Sequence, residues 1–394
     1  MIRLLVFALS GLLLSCSQAS NDMPTPAAVR FATFNTSLYA DTDGGLVARL
    51  ANDDMAARKV AAIIQRQRPD VLLLNEFDYD ANGEAAAIFL RDYLAVGQFG
   101  EQPIDYPHHF SGPVNTGVAS GLDLDGDGRS DGPGDAWGFG RHPGQYGMLL
   151  LSRFPIDAAA TRRFQHFRWA NLPGALVPRN PDTGAAFYPD AVWQQLRLSS
   201  KSHWDVPIQS PLGVIHFLVS HPTPPVFDGP ENRNGLRNHD EIRFWAEYVS
   251  SNAIDWLYDD GGTRGGLAAD AAFVIAGDLN ADPFDGDGYR HPVRLLLDHP
   301  RIDARFVPTS TGARAQAARY GLAHEGNTAA HTGDFGPKAG TLRIDYVLPS
   351  RQLAVRDGGV FWPAAGEPGH DWIDASDHHL VWLDLTSNRV TATE

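Results

Sequence analysis

Apolar residues along this chain gather in short runs, and most runs end in a polar residue able to do chemistry. Residues 271–276 are uninterrupted apolar positions, too few for a helix and rich enough in β-branched residues to predict an inner strand. Gly277 frees the backbone after it. Asp278 and Asn280 follow, two apart and so on one side of an extended chain. The same form recurs: a strand over 29–34 ends at Asn35, and one over 71–74 ends at Asn75-Glu76. Between them Ala56, Val60, Ile63 and Ile64 recur at helical spacing, predicting a helix over 51–67 that Arg68-Pro69-Asp70 stops. Further strands are expected over 146–154, closed by Pro155, and over 196–207, with a polar, partly basic edge. Another over 214–219 leads to Ser220-His221. A long loop over 227–239 follows, then a helix over 240–256. A strand over 342–348 carries Asp345, and a turn carrying Asp377 and His378 enters a last strand. There is no internal repeat and no clear linker, so one large domain is expected over 29–386, with a tail at 387–394.

Composition narrows the class. A hydrophobic fraction of 43% is ample for a core in 394 residues. Acidic residues outnumber basic ones 47 to 32, a formal charge of −15, which is not the basic footprint of a protein gripping long nucleic acid, though it leaves room for a local basic cleft. Cys16 is the only cysteine, so no intrachain disulfide forms. It follows Arg3 and the apolar stretch 4–14, the pattern of an export signal over 1–16. Leu13-Leu14-Ser15-Cys16 resembles a bacterial lipobox, implying a membrane anchor at Cys16; the competing reading is a plain cleaved signal. Residues 17–28, with Pro24 and Pro26, read as a tether.

Within 111–141 the chain turns rich in Gly and Asp. Asp123, Asp125, Asp127 and Asp131 stand at positions 1, 3, 5 and 9 of a calcium-type loop with Gly128 at 6, although Gly134 occupies the usual acidic twelfth place. This predicts a structural Ca²⁺ pinning an insertion; the alternative is a solvated acidic loop.

Collected in order, Phe34-Asn35, Leu74-Asn75-Glu76, Gly147 with Ser152-Arg153-Phe154-Pro155, Ser220-His221, Gly277-Asp278-Leu279-Asn280, Arg343-Ile344-Asp345-Tyr346-Val347 and Ser376-Asp377-His378 span most of the body. The set resembles the endonuclease/exonuclease/phosphatase superfamily. The resemblance implies an α/β (α+β) four-layer sandwich: two mixed sheets face to face, helices outside, and a site at one end. It implies that Glu76 holds a divalent metal with Asp377 and Asn35 near it. Mg²⁺ is the default for a hard oxygen site, with Mn²⁺ or Ca²⁺ as alternatives. It further implies that His378 pairs with Asp345, that Asp278 orients the attacking water, and that Asn280 bonds the developing charge. His221 would face the phosphate; which of the two histidines is acid and which base stays open. Ser37 stands where abasic-site endonucleases of the family carry an acidic residue, and His221 where they carry tyrosine, so that specificity is not expected.

Substrate contacts are expected from Lys201 and His203 and from Arg233, Asn234, Arg237 and Asn238, donors suited to phosphate oxygens. The expectation is an exported, metal-dependent phosphoesterase acting on small extracellular phosphate esters, with no protein partner evident. The alternatives are an extracellular nuclease and a non-catalytic binding module that kept the fold.

Overall fold

The computed structural model describes residues 28–250 and 253–388. The expected signal with Cys16, the tether up to 27 and the tail beyond 388 lie outside those residues.

The strands in chain order are β1 (Val29–Leu38), β2 (Val71–Phe77), β3 (His108–Ser111), β4 (Met148–Ser152), β5 (Arg162–Arg163), β6 (His203–Ser210) and β7 (Gly213–Ser220). They continue with β8 (Ala272–Asp278), β9 (Gly333–Asp334), β10 (Thr341–Leu342), β11 (Asp345–Pro349), β12 (Leu353–Val360) and β13 (Val381–Ser387). One sheet runs β12-β13-β1-β2-β4-β3 and the other β11-β8-β7-β6-β5. Both are mixed: β1 and β2 are parallel, as are β7 and β8, and the remaining pairs within the two sheets are antiparallel.

The side-chain period of two sorts the residues into layers. Phe31, Val71, Leu73, Met148 and Leu150 of the first sheet meet Val206, Ile215, Phe217, Val219, Val274 and Ala276 of the second. The rings of Phe31 and Phe217 touch edge-on at 5.4 Å between centroids. One step along each strand, Ala32, Phe34, Leu72, Leu74, Leu149 and Leu151 pack with helix Met55–Gln67. Leu218, Phe273, Ile275 and Leu348 pack with helix Arg233–Ser250. The result is a helix, sheet, sheet, helix sandwich. Each fully buried Leu, Val or Phe contributes roughly 1.5–3 kcal/mol to it.

Several element boundaries differ from expectation, each for a local reason. The helix expected over 51–67 is two, Gly45–Ala51 and Met55–Gln67, because Asp54 is extended and accepts the Ala57 N–H as an N-cap. The loop expected over 227–239 is helical from Arg233: Asp228, within the same stretch, accepts the Asn234 N–H at 2.6 Å and offsets the poor propensity of Asn and Gly. That helix is described to Ser250, and residues 253–256, expected within it, are not helical. The strand expected over 196–207 begins only at His203, because Arg237 takes the carbonyls of Arg197, Leu198 and Ser199. β11 begins at Asp345 because the Thr332 hydroxyl accepts the N–H groups of Ile344 and Asp345.

Candidate active site

The inward parity that builds the inter-sheet core continues past its apolar end. Phe31 is inward, and so in step is Asn35; Val219 predicts His221, Ala276 predicts Asp278, and Val347 predicts Asp345. At one end of the sandwich the core therefore turns polar, and both sheets contribute to one cluster. The Asn35 amide crosses between sheets to donate to Asp278 Oδ2 at 3.0 Å. Asp345 lies directly opposite Asp278 in the β11–β8 ladder. Gly277, with φ of 147°, permits the β7–β8 approach, since a Cβ there would stand 2.0 Å from the Ser220 carbonyl oxygen.

Asp278 is the centre. Its Oδ1 accepts the Asn280 N–H at 2.9 Å, and its Oδ2 lies 3.3 Å from His221 Nε2 and 3.7 Å from His378 Nε2. His378 Nδ1 donates to Asp345 Oδ2 at 3.0 Å, and the Thr332 hydroxyl donates to the same oxygen at 2.7 Å. Burial opposes the charged form of His378, but the Asp345 and Asp278 carboxylates outweigh it and hold the imidazolium well above the usual histidine range. His221 goes the other way: burial, with the charges of Lys201 and His378, pushes it well below. Burial lifts Asp278 to about 7; His378 opposes the rise and Asp345 adds to it. The site thus holds a neutral imidazole, an imidazolium and a carboxylate that accepts a proton near neutral pH, a set suited to ester hydrolysis.

The cluster opens into a cleft of about 920 Å³ lined by Glu76, Asp377 and Lys201 together with His221, Asp278, Asn280 and His378. Glu76 in the last residues of β2 has φ of 54°, Ser37 in the last residues of β1 has 49° and Asn280 just past β8 has 51°, so the backbone is left-handed near each strand end. Burial raises the Glu76 carboxyl against the pull of His378, Lys201 and the neighbouring Asn35 amide. No cation lies within ion-pairing distance of Glu76 among the described residues. Asp377 is exposed at the same mouth. Two carboxylates facing one cleft, with the Asn35 carboxamide buried behind them and no protein counter-ion for Glu76 among the described residues, fit a hard divalent cation. Such an ion would neutralise a phosphoryl oxygen there.

The proposed substrate residues divide. Lys201 is buried, lines the cleft, and has no carboxylate within ion-pair range among the described residues. His203 is not in the cleft: its ring nitrogens meet Ser199 Oγ at 2.6 Å and the Glu241 carbonyl at 2.9 Å, between the rings of Phe244 and Trp245. Asn238 is fully buried and donates to the carbonyls of Thr223 and Leu279, so it braces the site from behind. Arg237 reaches the cleft wall, yet its guanidinium is committed to four carbonyls, those of Trp137, Arg197, Leu198 and Ser199. Arg233 pairs with Glu231, and Asn234 donates to the Val226 carbonyl; both still line the cleft. In the 111–141 insertion Asp123, Asp125 and Asp127 come together, whereas Asp131 turns away to Arg129 at 3.0 Å. Gly134 and Asp125 of this insertion form part of the cleft wall.

Three supporting roles escaped the sequence reading, which had named Asn75 only as part of a strand end. Thr332 orients Asp345. Asn75 Oδ1 accepts the Asp278 N–H at 3.2 Å. Glu241 accepts the N–H groups of Ser200 at 2.6 Å and Thr223 at 2.7 Å, clamping the segments that carry Lys201 and His221.

Comparison with known proteins agrees with this geometry. The model of the Endonuclease/Exonuclease/phosphatase family matches residues 32–378. Among solved structures, the endonuclease/exonuclease/phosphatase from Beutenbergia cavernae DSM 12333 is similar at 19% identity over 93% of this chain and 73% of that one, with a TM-score of 0.50. Sphingomyelinase C from Streptomyces griseocarneus is similar at 16% identity over 91% of this chain and 99% of that one, with a TM-score of 0.46. At such identities the likeness concerns the fold alone. No curated protein matches in sequence. With the match running from β1 to His378 and the histidine–aspartate cluster at the sheet ends, the chain belongs to the endonuclease/exonuclease/phosphatase family of metal-dependent phosphoesterases.

Proposed function

We propose that the protein is an exported hydrolase of small phosphate esters, with Mg²⁺ as the resident ion at Glu76 and Asp377. The observation that carries the substrate reading is the cleft's cation inventory. Among the described residues Lys201 is the cleft-lining basic side chain without a hydrogen-bond or carboxylate partner, its pKa lowered by burial, while Arg233 pairs with Glu231 and Arg237 and Arg197 donate to backbone carbonyls and Asn115. Among the described residues, a single cleft-lining cation with its donors uncommitted suits one phosphoryl group better than a polyanion, which releases counterions at many contacts. Phe139 and Phe227, exposed by 60% and 88%, stand on the cleft wall and offer an apolar surface to a leaving group.

The protein groups divide the chemistry as follows. Asp278 accepts a proton from water as the water oxygen bonds to phosphorus and the ester P–O bond breaks. The His378 imidazolium stabilises the charge that develops and can protonate the departing oxygen. Asn280, neutral His221 and Lys201 hold the non-bridging oxygens. The ion, when bound, supplies Lewis-acid polarisation of the phosphoryl group.

The test is a panel of monoesters, diesters, nucleic acid and sphingomyelin, with Mg²⁺ and with chelator. Lys201→Met should raise KM about tenfold, the worth of one charge-assisted hydrogen bond of roughly 1.5 kcal/mol, and activity should change little with salt. Steep loss of affinity with rising salt would assign the protein to nucleic acid instead, and no metal-dependent hydrolysis of any ester would end the enzymatic reading.

The export proposal rests on Arg3, the apolar 4–14 stretch and Cys16. Among the described residues no helix is long and apolar enough to cross a membrane. Cys16→Ser should move the protein from the membrane to the soluble fraction; unchanged partition would reject lipidation at Cys16. The Ca²⁺ proposed for Asp123, Asp125 and Asp127 should raise the melting temperature of the native protein but not that of Asp127→Ala, and equal shifts in both would remove it.

A further inference from the structure

A second group of ligands lies outside the catalytic cluster. Asp285, His324 and His331 each present one ligand atom, all within 4.8 Å of one another. His324 Nδ1 stands 3.6 Å from Asp285 Oδ2, and the two imidazole rings meet at 4.9 Å between centroids. None of the three lines the substrate cleft. They come from two segments: Asp285 follows β8, and His324 and His331 stand in the connection that leads into β9.

The hydrogen-bond inventory around them is incomplete in a telling way. His331 is 1% exposed and the His324 side chain 7%. Yet His331 Nε2 and both nitrogens of His324 are buried without a hydrogen-bond partner. Buried polar atoms are paired as a rule, because an unmet one has given up its hydration without a replacement bond. His331 Nδ1 meets the Thr341 hydroxyl at 2.7 Å. If it donates there, Nε2 keeps its lone pair, the arrangement of an oriented metal-ligating histidine. The Asp285 carboxylate is likewise held, accepting the N–H groups of Glu325 at 3.0 Å and Gly326 at 3.3 Å.

We infer that Asp285, His324 and His331 form a binding site for a borderline divalent transition ion, Zn²⁺ in the first instance. Two imidazoles and one carboxylate suit such an ion, whereas Mg²⁺ prefers the all-oxygen environment at Glu76. The role is structural. The ion joins the segment after β8, which supplies Gly286 and Gly288 to the cleft wall, to the segment entering Thr332. Thr332 in turn holds Asp345. The site therefore fixes one wall and the support of the His378 pair without touching substrate.

The test uses the full chain, stripped with chelator, reloaded with Zn²⁺ alone and passed through a desalting column. The native protein should retain one more equivalent of Zn²⁺ than His324→Gln, and Zn²⁺ should raise its melting temperature where it does not raise that of the variant. Co²⁺ in place of Zn²⁺ should give a visible ligand-field band that His324→Gln lacks. Equal zinc content and the same cobalt spectrum in both proteins would overturn the site. If His324→Gln does not unfold cooperatively, Asp285→Asn, whose carboxylate is nearer solvent, is read by the same two measurements. Because the readouts are metal content and spectrum, the result stands apart from whether any phosphate ester is hydrolysed.

Discussion

Glu76→Gln is expected to lower Mg²⁺-dependent hydrolysis by about 10³-fold or more while leaving the protein folded. The size follows from the several kcal/mol that a metal contributes to charge stabilisation, at about 1.4 kcal/mol per tenfold. The stability half follows from the sign of the Glu76 shift. Its carboxyl is raised in the folded chain, so the unfolded chain ionises first, and stability falls as pH rises through the unfolded value toward the folded one. At neutral pH in chelator, removing that charge therefore leaves the melting temperature unchanged or higher. Full activity of Glu76→Gln at saturating Mg²⁺ would reject Glu76 as the ligand.

The second large effect belongs to the pair behind the cleft. Asp345→Asn should cut kcat by about 10²–10³-fold and reshape its pH profile. The His378 imidazolium persists above the usual histidine range because Asp345 and Asp278 face it. Its contribution is complete at low pH and is lost as pH rises through the raised value. Removing the Asp345 charge lowers that value, so the alkaline limb moves to lower pH. The acid limb, set by ionisation of Asp278 near 7, should move down as well, because Asp345 helps raise Asp278. An Asp345→Asn profile with the native shape and only a smaller amplitude would mean that Asp345 holds structure and does not tune His378.

The polar strand ends were legible because alternation carries information past the end of the apolar run: a reader who knows Val219 and Ala276 face inward also knows where His221 and Asp278 point. The same rule would have removed His203. Trp204, Val206 and Ile208 are inward, so His203 faces the outer helix, and its nearness to Lys201 in sequence misleads. Asn238 was hidden differently. It belongs to the buried stripe of Gly235, Asn238, Ile242, Trp245 and Val249, visible only once the helix is known to begin at Arg233. That beginning depends on Asp228, six residues away inside the stretch read as loop, whereas the irregular path of 196–202 depends on Arg237, a contact that no local window contains. Glu241 and Thr332 act through backbone N–H groups far away in sequence, so their types alone carried no signal.

The left-handed turns at Ser37, Glu76 and Asn280 set a limit on how this protein can be improved. Such backbone costs an L-residue of order 1 kcal/mol or more, and glycine at any of the three would relieve it. At 76 or 280 the relief would delete a group the chemistry uses. Selection for heat resistance alone would thus favour changes that silence the enzyme, and a stabilisation campaign has to hold those two positions fixed and look for its gains elsewhere.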